Sequence, residues 1–200
     1  MNDEVKIDDI IDDFEKRNYK KKFNSKKKGS RGELKICKIL SNHFHKNFNR
    51  VPHSGAFGTT HSLEQNARNV LSGDIICPEN FLFTIEAKSG YNIDLFNIFN
   101  FKNNWDKKLV MEFINQSIVA ADRCKSIPMV IYNKDRRPCV AIVPISGYKE
   151  SEVIINNLYK FSKYMILNYK LLNYLWDSWI IVNLEEFLSI IPEQFFYKAK

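Results

Sequence analysis

The stretch "IPMVIYNKDRRPCVAIVPI", residues 127–145, constrains the fold most. Two apolar runs flank the polar turn "NKDR", which reads as a pair of strands. Neither approaches the roughly 20 apolar residues that cross a bilayer. Upstream, "GDIICPENFLFTIEAK" holds two more strand-like runs, about 73–77 and 81–88. Between these pairs lies "WDKKLVMEFINQSIVAADRCK", residues 105–125, with Leu109, Phe113, Ser117 and Ala120 or Ala121 at helical spacing. Helix, strands, helix, strands and helices then follow one another. The fold class this order implies is a mixed α/β domain.

The chain's 200 residues suit one domain with an arm. A first helix is predicted over roughly 30–47, with Ser30 as N-cap and Glu33 completing a capping box. Glu33, Cys37, Leu40 and Phe44 share one side of it, so a charge borders the buried stripe. Residues 50–74 are rich in Gly, Ser, Thr and Asn and read as a long loop, with a strand near Arg50–Val51. Residues 150–175 read as helical and apolar on more than one side, either deep in an enlarged core or at a dimer interface. A short strand "SWIIV" and a final helix at "NLEE" follow, with Asn183 as its cap. The organisation expected is an arm over 1–28 and one domain over 29–200, with its core at about 29–145 and an extension at about 150–200.

Thirty Lys and Arg against 23 Asp and Glu give a net charge of +7, which favours an anionic partner. The charge is blocked. Residues 1–15 carry seven acids and one Lys, while residues 16–28 carry eight bases and no acid. Such a block reads as a solvated arm, and as a source of phosphate contacts if the domain binds nucleic acid. The acidic start does not resemble a secretory signal, so an intracellular, cytoplasmic protein is expected. Four scattered cysteines without a CxxC pair argue against a disulfide framework or a cysteine zinc site. His43 and His45 point apart on a helix, and His53 beside Ser54 has no acid placed to orient it.

Asp74, Glu86 and Lys88 are charges inside strand-like runs. Alternation puts Glu86 and Lys88 on one face. A hairpin turn centred on Asn80 would set Asp74 directly opposite Glu86. Like charges so paired are destabilising without a cation between them, and a divalent metal is the economical candidate. Lys88 would then orient a water or stabilise developing negative charge. The same pattern also describes a partly exposed hairpin with a Glu/Lys pair in solvent.

With its neighbours, "GD…EAK" resembles the PD-(D/E)XK nuclease superfamily, Gly73 standing where the name has Pro. "KKKGSRGELKICKIL" is similar to the first helix of the Holliday-junction-resolvase branch, and "RVPHSGAFG" to its Arg-to-Ser-Gly loop. "FINQSIVAADRCKSIPMVIYNKDRRPCVAIVPI" is similar to its helix with a Gln and two following strands. Small phage-borne nucleases share this order of parts. The resemblance implies a restriction-endonuclease-like core, a mixed sheet flanked by helices, in which Asp74, Glu86 and the Ala87 carbonyl bind Mg²⁺ or Mn²⁺. It implies that Lys88 positions or deprotonates the attacking water. Glu33 would complete the acidic cluster, directly or through a water, and Gln116 would lie beside the site. Lys26, Lys27, Lys28, Arg31, Arg50 and Ser54 would contact DNA.

The function expected is metal-dependent hydrolysis of DNA phosphodiester bonds, with branched DNA as the first substrate, duplex nicking or general DNA degradation close behind, and a homodimer as the assembly. No membrane and no small-molecule cofactor is expected. The alternative is a nucleic-acid-binding module on a nuclease fold that no longer cuts.

Overall fold

The computed structural model describes residues 25–52, 72–91, 93, 95, 104–168 and 176–198. Ser54 and most of the basic block therefore lie outside the described residues. In chain order the elements are α1 (Ser25–Phe44), β1 (Asn49–Arg50), β2 (Ile75–Ile76), β3 (Phe83–Ser89) and α2 (Asn104–Cys124). Then come β4 (Ile127–Asn133), β5 (Val140–Pro144), α3 (Ser151–Asn156), a 3₁₀ turn (Leu158–Lys160), β6 (Tyr164–Asn168), β7 (Ser178–Asn183), α4 (Leu184–Ile190) and a second 3₁₀ turn (Glu193–Phe196).

Five strands form one mixed sheet in the order β3-β4-β5-β7-β6. β3 and β4 are parallel, and the other three pairings are antiparallel. A parallel pair needs a crossover connection, and α2 lies in the segment that makes it. The "NKDR" turn joins β4 to β5 as an antiparallel pair, as its sequence predicts.

Both faces of the sheet are covered. On one, Ile36, Leu40 and Phe44 of α1 and Phe187 of α4 pack with Ile85, Met129, Ile131, Val143 and Ile180. On the other, Val110, Phe113, Ile114 and Ile118 of α2 pack with Val130, Tyr132, Ile142 and Ile181. Successive strand residues alternate between the layers, so the central strands are apolar throughout. All seven residues of β4 and all five of β5 are buried.

Three expectations need correction. α1 begins at Ser25, five residues before Ser30, so Ser30 is interior to the helix and no capping box forms there. At the other end α1 stops at Phe44, where His45 takes a left-handed φ of 50°. The segment 150–175 is not one helix: among its described residues it makes α3, a 3₁₀ turn and then β6, which pairs with β7 along the sheet edge. Apolar residues on both sides of that stretch fit a sheet strand as well as a buried helix, and pairing with β7 decides between them. The final helix is as expected, with the Asn183 side chain accepting from the Glu186 N–H at 3.1 Å.

The third correction concerns the hairpin. β2 pairs with β1, not with β3, in the register Arg50↔Ile75. Asp74 reaches β3 through single hydrogen bonds outside any ladder. The 74–86 register is therefore replaced by a contact to Ile85, although the carboxylates still meet.

Candidate active site

The site sits on the outer edge of β3. The Ile127 N–H donates to the Leu82 carbonyl at 3.0 Å, so even-numbered residues of β3 turn their backbone groups towards β4. Odd-numbered residues turn theirs outward. The Asp74 N–H accordingly donates to the Ile85 carbonyl at 2.9 Å, and the Ala87 N–H donates to Asp74 Oδ2 at 2.9 Å. N–H and C=O of one strand residue leave the same edge, so the Ala87 carbonyl also faces outward on Asp74's side.

Gly73 permits this approach. Its φ is +81°, and a Cβ there would lie 2.6 Å from the Ile85 carbonyl oxygen. Proline, locked near −65°, cannot adopt that conformation. Backbone geometry at this turn thus calls for glycine and excludes proline.

Lys88 lies on the same face as Glu86, as alternation requires. Its Nζ donates to Glu86 Oε1 at 2.7 Å and to Gln116 Oε1 of α2 at 2.6 Å. The ammonium also lies 5.6 Å from the Phe113 ring centroid. Side-chain exposures of 12% for Lys88 and 15% for Glu86 mark a nearly desolvated pair. Burial first, and then the Asp74 charge, hold the Glu86 carboxyl above the ordinary carboxylate range; Lys88 opposes both. Lys88 thus pairs with Glu86, while Asp74 adds a second negative charge beside it.

Glu33 is placed differently. Arg50 Nε of β1 donates to Glu33 Oε2, and their side chains are 29% and 13% exposed respectively. Arg50, expected as a phosphate contact, is thus the immediate partner of Glu33. Among the described residues no three His, Cys, Asp or Glu side chains gather as a metal-binding group, so Asp74 and Glu86 stand as a pair. Arg31 is exposed on α1, and Lys26, Lys27 and Lys28 lie in its first turns.

Two supporting residues escaped sequence reasoning. A Cβ on Gly32 would lie 2.6 Å from Ser89 Oγ and 3.4 Å from Asn133 Nδ2, so α1 crosses the end of β3 in close contact. Tyr132 Oη donates to the carbonyls of Tyr91 at 2.7 Å and Ile93 at 3.1 Å, tying down the chain beyond Lys88. The legible signal was a tyrosine followed by an Asn at the end of an otherwise apolar strand.

An acid presented at a sheet edge, followed by Glu-x-Lys on the neighbouring strand, is the pattern the sequence resemblance led us to expect. The family model described as "Phage putative PDDEXK endonuclease" matches residues 24–197. The chain belongs to this family. Protein D14 of Escherichia phage T5 is 28% identical over 169 residues, covering 82% of this chain and 90% of its own length. No solved structure matches the chain. The five-stranded mixed sheet with helices on both faces agrees with a restriction-endonuclease-like core.

Proposed function

We propose that this chain is a divalent-metal-dependent DNA endonuclease, with branched DNA its preferred substrate. One observation carries the reading: a nearly buried lysine held between Glu86 and Gln116, beside a second carboxylate, Asp74. An ordinary surface Glu/Lys pair needs neither the burial nor the adjacent acid.

The donor set fits a hard cation. Asp74, Glu86 and the Ala87 carbonyl offer only oxygen, which suits Mg²⁺ or Mn²⁺. Burial and then the Asp74 charge disfavour the ionised Glu86, and a bound cation would offset both. A divalent ion bound there would polarise the scissile phosphate and offset the charge that develops on it.

The chain's own groups supply the rest. Lys88 donates to the attacking water and orients it in line with phosphorus. Gln116, accepting from Lys88, holds the ammonium in a fixed direction. Glu33, steadied by Arg50, takes part through a bridging water. Lys26, Lys27, Lys28, Arg31 and Ser54 contact the DNA backbone, and Arg50 does so secondarily. Assembly as a homodimer is inferred from the resemblance to dimeric resolvases. Edge strand β6, with Ile166 43% exposed, is the surface that supports it.

The test is incubation of the chain and Asp74→Asn with labelled four-way junction, linear duplex and single-stranded DNA, in Mg²⁺, Mn²⁺ or EDTA. Metal-dependent cutting by the unaltered chain alone, fastest on the junction, is expected. A folded chain that binds DNA and cuts nothing would favour the non-cutting binding module.

A further inference from the structure

The turn between β4 and β5 is placed and built in a way its sequence does not disclose. Ser89 is the register partner of Asn133, so the turn leaves the sheet one strand away from the end of β3 that carries Lys88. Neighbouring strands are about 4.8 Å apart, which puts the turn within on the order of 10 Å of Lys88, or about three steps of rise along a duplex axis.

It is also held rigidly. Lys35 Nζ of α1 donates to Asn133 Oδ1 at 2.9 Å and to the Arg137 carbonyl at 3.4 Å. Asn133 is only 6% exposed, and the Cys139 thiol also reaches its Oδ1 at 3.5 Å. The Arg137 N–H closes the turn on the Lys134 carbonyl at 3.2 Å. Lys134 points elsewhere, its Nζ donating to the Ile93 carbonyl at 3.2 Å.

What this frame presents is Arg136 and Arg137, both exposed, with Asp135 the one acid within the turn. Arg136 has a φ of +59°. Glycine or asparagine takes that conformation at little cost, whereas other side chains are strained there. An arginine kept in a left-handed turn position, on a turn pinned from α1, points to a use for its charge.

We infer that Arg136 and Arg137 form a phosphate clamp that grips the DNA backbone a few nucleotides from the scissile bond. The inference rests on the nuclease reading above and adds a binding surface to it. Guanidinium groups suit the task because they pair with phosphate oxygens in a bidentate fork. The clamp reads no bases. It sets where along the strand the phosphate nearest Lys88 lies.

The experiment measures duplex and four-way-junction affinity in EDTA across a salt series, so that cutting plays no part. Compared are the full chain, Arg136→Ala/Arg137→Ala, Arg136→Gly/Arg137→Ala, the charge-preserving Arg136→Lys/Arg137→Lys, and Lys160→Ala/Lys163→Ala beside the opposite sheet edge. Each lost phosphate contact lowers the slope of log affinity against log salt by about 0.9. The alanine and glycine pairs should therefore lose close to two units of slope and roughly tenfold in affinity. The lysine pair and the Lys160/Lys163 control should stay within a few tenths of the full chain's slope. The glycine variant suits the left-handed position and guards against misfolding.

An unchanged slope in both variants that remove the Arg136 and Arg137 charges, with the full chain binding normally, overturns the clamp and leaves the nuclease reading intact. An equal loss in the Lys160/Lys163 control also overturns it, since the effect would be one of overall charge. A full chain with no salt-dependent DNA affinity overturns both.

Discussion

Asp74 grips β3 at two points: its N–H donates to the Ile85 carbonyl and its carboxylate accepts from the Ala87 N–H, both at 2.9 Å. The acid is thus a structural acceptor as well as a proposed metal ligand, and the two roles separate by substitution. Asp74→Asn keeps an acceptor oxygen and removes a charge facing Glu86, so it should hold or raise stability by up to about 1 kcal/mol. Asp74→Ala leaves the Ala87 N–H without that partner and should cost about 1–3 kcal/mol. Both should lower cleavage by about 10²-fold or more. Thermal melts and cleavage rates of the two variants check this; equal destabilisation by both would refute the two-role assignment.

Burial and Asp74 raise the Glu86 carboxyl above its unfolded value. The folded state therefore binds this proton more tightly than the unfolded chain. The resulting stabilisation is fully present below the unfolded pKa and is lost as pH rises through the folded one. Relative to Glu86→Gln, the unaltered chain should lose stability as pH climbs from about 4 towards neutrality. Cleavage should rise over the same range, since an ionised Glu86 is needed. Denaturant melts of the pair across that range give the difference directly, and a pH-independent difference would contradict the assignment.

Divalent cations should raise the melting temperature, with a gain that grows as the logarithm of their concentration above the dissociation constant. At 100 times the dissociation constant the gain is about 2.7 kcal/mol. Asp74→Asn and Glu86→Gln should each remove most of that gain. A shift that survives both substitutions would place the ion elsewhere.

Gly32→Ala tests the crossing of α1 over β3. Within a helix, alanine is ordinarily favoured over glycine by about 1 kcal/mol. Here the added Cβ would lie 2.7 Å from the Ser89 Cβ. The helix must move off the end of β3, and a net loss of about 1–3 kcal/mol is expected. Because Ser89 follows Lys88, cleavage should fall as well. Calorimetry and cleavage rates of this one variant check both.

The Glu33–Arg50 pair should respond asymmetrically. Glu33→Gln retains an acceptor for Arg50 Nε, whereas Arg50→Ala takes a cation from beside a carboxylate only 13% exposed. The arginine substitution should therefore be the more destabilising, by about 1–3 kcal/mol. The Cys37 thiol, which burial and then Glu33 push up to about 11, should titrate lower in Glu33→Gln. Thiol alkylation against pH reads that change.

Much was written in local pattern. Alternation along "FTIEAKS" sets Glu86 and Lys88 on one face whatever the strand pairs with, because successive strand residues point to opposite sides. The period of Phe113 and Ser117 marked α2, and Asn183 marked the start of α4, since both signals lie within one or two turns of the residues concerned. Apart from the β4–β5 pair joined by its short turn, strand partners were not legible. β2 left the expected hairpin for β1, and residues 164–168 became a sheet edge, because pairing depends on backbone groups far away in the chain. Arg50 on Glu33, Gly32 against Ser89 and Lys35 on Asn133 are likewise contacts between distant segments. The sequence by itself determined the elements and which side chains share a face. Only the tertiary structure decided which edge Asp74 meets, which cation each carboxylate receives and which turn stands beside Lys88, since these depend on how α1 and the β1–β2 pair close over β3.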